Sequence, residues 1–193
     1  PGVELTFEGQ VSRSSETGGS IGRGLMIGLL GIFVILSFQF RSYVEPLIVM
    51  LSIPLAFTGA LWGHVLMGYY ISMPSLIGAA SLACIVVNNA ILLIHFIKVR
   101  RRQGADVLTA AGQASRDRLR AILISSSTTI AGLLPLLAET STQAAAIKPL
   151  VISVVFGLLS ATVLVIAVIP ALYVLIHDLG WTSDTEEREL SSE

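Results

Sequence analysis

Asn88 and Asn89 stand side by side in IVVNNAILLIHF, residues 85–96. No Asp, Glu, Lys or Arg lies between Glu45 and Lys98. An amide in such a run either bonds to a neighbouring helix or faces a polar path through a membrane. Adjacent residues on a helix point about 100° apart. The two amides therefore cannot share one narrow seam, and the residues alone leave both roles open. A second candidate stretch is RDRLRAILISSSTT, residues 116–129. Arg118 and Ser125 are seven positions apart and share roughly one helical face. Such a base and hydroxyl could exchange hydrogen bonds with asparagines on a neighbouring helix. The alternative is an arginine snorkelling to the interface above hydroxyls that bond back to their own helix.

Serines together with His64 and His95 raise the question of intramembrane proteolysis. The sequence has no GxSxG elbow, no membrane Asp pair and no HExxH. No enzyme is expected. Cys84 is the single cysteine, so no internal disulfide can form. No Cys/His pattern of zinc type occurs, and neither a metal site nor a cofactor is expected. Gly24 with Gly28, and Gly59 with Gly63, form two GxxxG pairs that predict close helix packing.

The elements that must hold these residues follow from composition. Of 193 residues, 53% are hydrophobic and 13% charged, and the mean hydropathy is +0.80. Those values lie outside the soluble range. The apolar residues fall into five blocks, about 21–40, 46–67, 74–97, 119–137 and 150–176. Each is long enough to cross about 30 Å of hydrocarbon as a helix. Only helices satisfy their own backbone groups there. The expected fold is all-α and integral to the membrane. Pro54, Pro135 and Pro170 lie inside blocks and predict kinks. VELTFEG, residues 3–9, alternates like one short strand. A lone strand needs a sheet to join. The chain opens Pro-Gly-Val without an initiator methionine, so it reads as a piece of a longer protein. Gln10–Gly19 is polar and reads as a connection, ADVLTAAGQASRD (105–117) as a short helix along the inner face, and 178–193 as a disordered acidic tail.

Lys98, Arg100, Arg101, Arg102, Arg116, Arg118 and Arg120 cluster between the third and fourth blocks. By the positive-inside rule that 98–118 loop is cytoplasmic, and alternation puts the C-terminus inside too. Tyr69 and Tyr70 fall where an outer interfacial belt is expected.

Taken together, FQFRSYVEPLIVMLSIPLAFTGAL (38–61), GAASLACIVVNNAILLIHF (78–96), RDRLRAILISSSTTIAGLLPL (116–136) and VIPALYVLI (168–176) resemble the C-terminal membrane portion of resistance-nodulation-division (RND) transporters. The likeness is closest to the hydrophobe/amphiphile multidrug efflux branch and covers about residues 3–177. It implies the last five helices of a twelve-helix protein, with residues 1–20 as the tail of a periplasmic porter domain. It implies proton-driven export of amphiphilic small molecules across the bacterial inner membrane. The implied partners are lipid, the N-terminal half of the same transporter, two further copies in a homotrimer, a periplasmic adaptor and an outer-membrane channel, with no nucleic acid. A protein-translocation or lipid-handling factor of the same fold, or a membrane scaffold, is the alternative.

The family carries protons through aspartates on its fourth helix, a lysine on its tenth, and an arginine and a hydroxyl on its eleventh. By resemblance Asn88 stands at the lysine position, Arg118 at the arginine and Ser125 at the hydroxyl, while Asn89 matches a family asparagine. Asn88 lacks the lysine's charge, although its amide still donates hydrogen bonds. Ala121 replaces a common proline, and Thr109 an acidic residue that is frequent there.

Overall fold

The computed structural model describes the backbone of residues 10–179 and the side chains of 18–179. Five helices make up the described chain: α1 (Gln10–Phe40), α2 (Val44–Met67), α3 (Met73–Arg102), α4 (Val107–Ala138) and α5 (Thr142–Asp178). All five carry a span long and apolar enough to cross a membrane, that of α1 beginning at Gly18. The stretch read as a strand, residues 3–9, and most of the acidic tail lie outside the described residues. Gln10–Gly19 is helical rather than a connection, continuous with the first span.

The surface helix expected at 105–117 does not lie apart. It is the first third of α4, which runs on unbroken through the fourth apolar block. Likewise α3 continues to Arg102, so the broad loop expected at 98–118 shrinks to residues 103–106. The physical reason is local. Residues 107–121 contain alanines and long polar side chains, good helix formers, and no proline; the one glycine, Gly112, is outweighed. Gly104, at φ +88, supplies the turn. Helices α2, α4 and α5 also continue through Pro54, Pro135, Pro149 and Pro170.

The turn between α2 and α3 is set by local chemistry. Gly68 closes α2 at φ +68, where a Cβ would be strained. Ser72 and Ser75 then form a capping box, with Pro74 in the first turn of α3. Ser141 caps α5 by accepting a hydrogen bond from the Ala144 N–H at 3.3 Å.

Helix α5 is the hub, packed on α2, α3 and α4. Its core residues Leu158, Ala161, Val165, Ile169 and Tyr173 join Ile48, Val49 and Ala56 of α2 and Leu82, Val86 and Leu93 of α3. Helix α1 is peripheral. Among its described side chains only Leu36 and Phe40, near its C-terminal end, are buried.

The two GxxxG pairs separate here. A Cβ on Gly59 would meet the Ser160 side chain and come within 2.8 Å of the Phe156 carbonyl oxygen, and one on Gly63 would strike the Phe156 ring. Nothing in the described chain lies near Gly24 or Gly28. Gly78 and Gly157, outside any GxxxG pair, are packed as tightly, against Leu150 and Leu82. Gly59→Ala should therefore destabilise the bundle by about 1–3 kcal/mol, the scale of overpacking. Gly28→Ala should stay within about 0.5 kcal/mol. Denaturation in mixed detergent micelles, followed by circular dichroism, would check the contrast.

Candidate functional site

The buried polar groups fall at three levels. At one end of the bundle Lys98 Nζ meets Glu45 at 2.9 and 3.0 Å, donates to the Phe40 carbonyl oxygen at 3.2 Å, and lies 5.6 Å from the Phe40 ring centroid. Glu45 is 2% exposed. The two charges that bracket the long uncharged stretch thus pair with each other and join α1, α2 and α3. Arg41, at φ +50, turns the chain beside them.

At the opposite end His64 is buried. Its Nδ1 lies 2.9 Å from the Ala60 carbonyl oxygen and its Nε2 2.8 Å from Ser75 Oγ. The Ser153 hydroxyl donates to the Ser75 carbonyl oxygen at 3.1 Å. His64 thus ties α2 to α3 and Ser153 ties α3 to α5, while His95 is exposed with no serine hydrogen-bonded to it among the described residues.

The predicted candidates occupy the middle level and the approach to it. Arg118 is half-buried, and its guanidinium stacks 3.8 Å above the Phe96 ring. Its Nε is buried with no hydrogen-bond partner in the described chain. From Phe96 to Asn89 on α3, and from Arg118 to Ser125 on α4, is seven residues each. The helices run antiparallel, so both paths climb about 10 Å at 1.5 Å per residue. The stack thus brings Asn88 and Asn89 to the level of Ser125.

No hydrogen bond links them within the described residues. Asn88 and Ser125 are exposed and Asn89 is half-buried. The expectation of a direct exchange between the amides and the α4 hydroxyls is not met. Asn88 belongs to an outward stripe on α3 with Ser81, Cys84 and His95. The back-bonding alternative holds for two hydroxyls: Thr128 and Thr129 donate to the Ser125 carbonyl oxygen at 2.9 and 3.0 Å. Ser126 turns inward, 2.8 Å from Thr162 Oγ1. Neither Ser126 nor Thr162 stands out in the sequence, because a run of hydroxyls does not say which one faces a neighbour. No group of three or more His, Cys, Asp or Glu side chains among the described residues could hold a metal ion.

Five long apolar helices with unpartnered amide and hydroxyl groups at mid-depth define a multi-pass membrane protein of the helical class. The AcrB/AcrD/AcrF family profile matches residues 1–177. The chain belongs to that family, within the RND superfamily. It is 31% identical over 151 residues to the cobalt-zinc-cadmium resistance protein CzcA of Cupriavidus metallidurans, and equally to the cation efflux system protein CzcA of Alcaligenes sp.. Each match covers 78% of this chain and 14% of the relative. Two crystal forms of a heavy metal efflux pump superpose with TM-scores of 0.77 and 0.80, at 27% and 26% identity. They cover 88% and 91% of this chain, which spans 17% and 18% of theirs. These relatives carry heavy-metal names, and the amphiphile branch expected from the motifs finds no support among them.

Proposed function

We propose that the chain is the C-terminal membrane segment of a proton-driven RND exporter whose cargo is a divalent heavy-metal cation. The observation that carries the proton role is Asn88. It is exposed on α3 at mid-membrane depth, with no hydrogen-bond partner among the described residues. A polar group left so in hydrocarbon is destabilising by a few kcal/mol. Carboxylates on helices outside this chain, or water among them, would satisfy it. Asn88, Arg118 and Ser125 then form one wall of the proton path, and Asn89 supports their packing.

The cation cargo rests on the named activities of the relatives. An amide at the lysine position also holds a neighbouring carboxylate ionised less firmly than an ammonium would, so coupling differs from that of lysine-bearing pumps. The C-terminus is cytoplasmic on this reading, because the basic residues around the 103–106 turn lie inside. The whole transporter works as a trimer with adaptor and outer-membrane channel, as the family resemblance implies, and is not an enzyme.

The test places the full transporter in a metal-sensitive bacterium and follows zinc, cobalt and cadmium accumulation beside a lipophilic dye, with and without a collapsed proton gradient. Gradient-dependent exclusion of the cations is expected. Asn88→Leu at matched membrane levels should slow it at least about tenfold, the scale of one lost interaction of about 1.4 kcal/mol. Exclusion of the dye alone would return the cargo to amphiphiles. Full export by Asn88→Leu would make Asn88 a packing residue.

A further inference from the structure

Ser125 and Ser126 are neighbours about 100° apart around α4, and their surroundings differ. Ser125 is exposed, whereas Ser126 and Thr162 are 4% and 7% exposed. Thr162 Oγ1 lies 2.8 Å from Ser126 Oγ and 2.7 Å from the Leu158 carbonyl oxygen. A threonine hydroxyl has one proton. When that proton goes to the carbonyl, Ser126 supplies the proton between the two hydroxyls.

The position of this bond along α4 matters. The fully buried residues of α4 are Val107, Ala110, Ala111, Ala114, Ile122 and Ser126. None follows Ser126 before the helix ends at Ala138. Between Val107 and Ile122 the inner contact is made by Ala110, Ala111 and Ala114, small and smooth, which leaves α4 able to roll. The outermost anchor is directional, because a hydrogen bond weakens steeply off-axis. One residue of roll, about 100°, would carry Ser125 into the α5 contact and swing Arg118 off Phe96.

We infer that the Ser126–Thr162 hydrogen bond is a positioning latch that sets the rotation of α4 and so keeps Ser125 and Arg118 on the polar wall. The inference rests on the reading of that wall as a proton path. Ser126 and Thr162 are positioning residues and touch no transported species. Ser126 has an alternative acceptor in the carbonyl four residues back. The latch is therefore a bias rather than a lock. Interhelical hydrogen bonds in membranes are of a strength that shifts such an equilibrium roughly 3- to 20-fold.

The experiment uses the full transporter, in membranes, with Cys84→Ser, any cysteine outside this chain also replaced by serine, and Ser125→Cys. The labelling rate of the introduced thiol by a water-borne maleimide reports the rotation of α4 without requiring transport. Ser126→Ala and Thr162→Val should lower that rate, by no more than the roughly 3- to 20-fold shift in the equilibrium itself. Ser126→Thr, which keeps the hydroxyl, should restore it. With Cys84 and Ser125 native, Ser126→Ala should slow export by a similar factor and change its pH profile, and Ser126→Thr should again rescue both. Unchanged labelling and an unchanged pH profile in Ser126→Ala would overturn the latch, even if Ser125→Ala abolishes export. Export that survives Ser125→Ala and Arg118→Lys would instead overturn the proton-path reading, with the labelling result still deciding whether the latch exists.

Discussion

Lys98→Met is expected to destabilise the bundle by about 3–5 kcal/mol, the loss found when one partner of a buried ion pair is removed. Glu45 is 2% exposed, and the change would remove the ammonium that meets both of its carboxylate oxygens in a low-dielectric site. Lys98 also donates to the Phe40 carbonyl oxygen and lies near the Phe40 ring, so the change releases the end of α1 as well. Phe40 and Leu36 are the only fully buried residues of that helix among the described ones. Loss of the tether should therefore appear first as faster proteolysis or hydrogen exchange in α1. The double variant Glu45→Leu with Lys98→Met should recover most of the stability, because buried pairs are often replaced by apolar groups at little loss. A contrast comes from Arg100 and Asp117, paired at 2.6 Å but 38% and 40% exposed. Asp117→Asn should change stability by less than about 1 kcal/mol. Denaturation of the purified chain in mixed micelles measures all three. A loss below about 1 kcal/mol for Lys98→Met would mean that water reaches Glu45 and that the pair is not a clamp.

The five spans were legible because the signal behind them is strong. Lipid forces helices, and runs such as Pro46–Met67 and Leu150–Ile176 admit no other reading. Their ends were less legible. Periodicity marks apolar residues, but Arg100–Arg102 and Val107–Arg118 are helical without being apolar, so α3 and α4 proved longer than their apolar blocks. Glu45 and Lys98 drew attention as the limits of an uncharged stretch, yet nothing in one dimension says that the two limits meet. The glycine pairs show the same gap. Gly59 and Gly63 sit against α5, while a Cβ on Gly24 or Gly28 would meet nothing within 4 Å among the described residues, although both pairs have the same spacing. At the candidate site, a separation of seven residues places Arg118 and Ser125 on roughly one side of α4, whatever they do there. Spacing could not choose between Ser125 and Ser126, because the choice depends on where Thr162 lies across the α4–α5 contact.

Arg118→Lys should slow export roughly 10- to 150-fold, the range for losing a hydrogen bond to a charged group, although it keeps the positive charge. The planar guanidinium lies 3.8 Å above the Phe96 ring, a face-on geometry that an ammonium on a flexible stem does not reproduce. The stack also settles what Arg118 can do next. One face of the guanidinium is taken by the ring, and Nε is buried without an acceptor among the described residues. A buried donor in that state is destabilising until an acceptor arrives. A carboxylate from a helix outside this chain could approach edge-on and take Nε and a terminal nitrogen together. Lysine offers neither the fork nor the Nε. Phe96→Leu tests the same geometry from the other side. It keeps the arginine and removes the platform, so its effect should fall between wild type and Arg118→Lys. If Arg118→Lys exports like wild type, the charge alone suffices and Arg118 is a snorkelling residue. If Phe96→Leu loses as much as Arg118→Lys, orientation of the guanidinium, rather than its presence, is what the proton path requires.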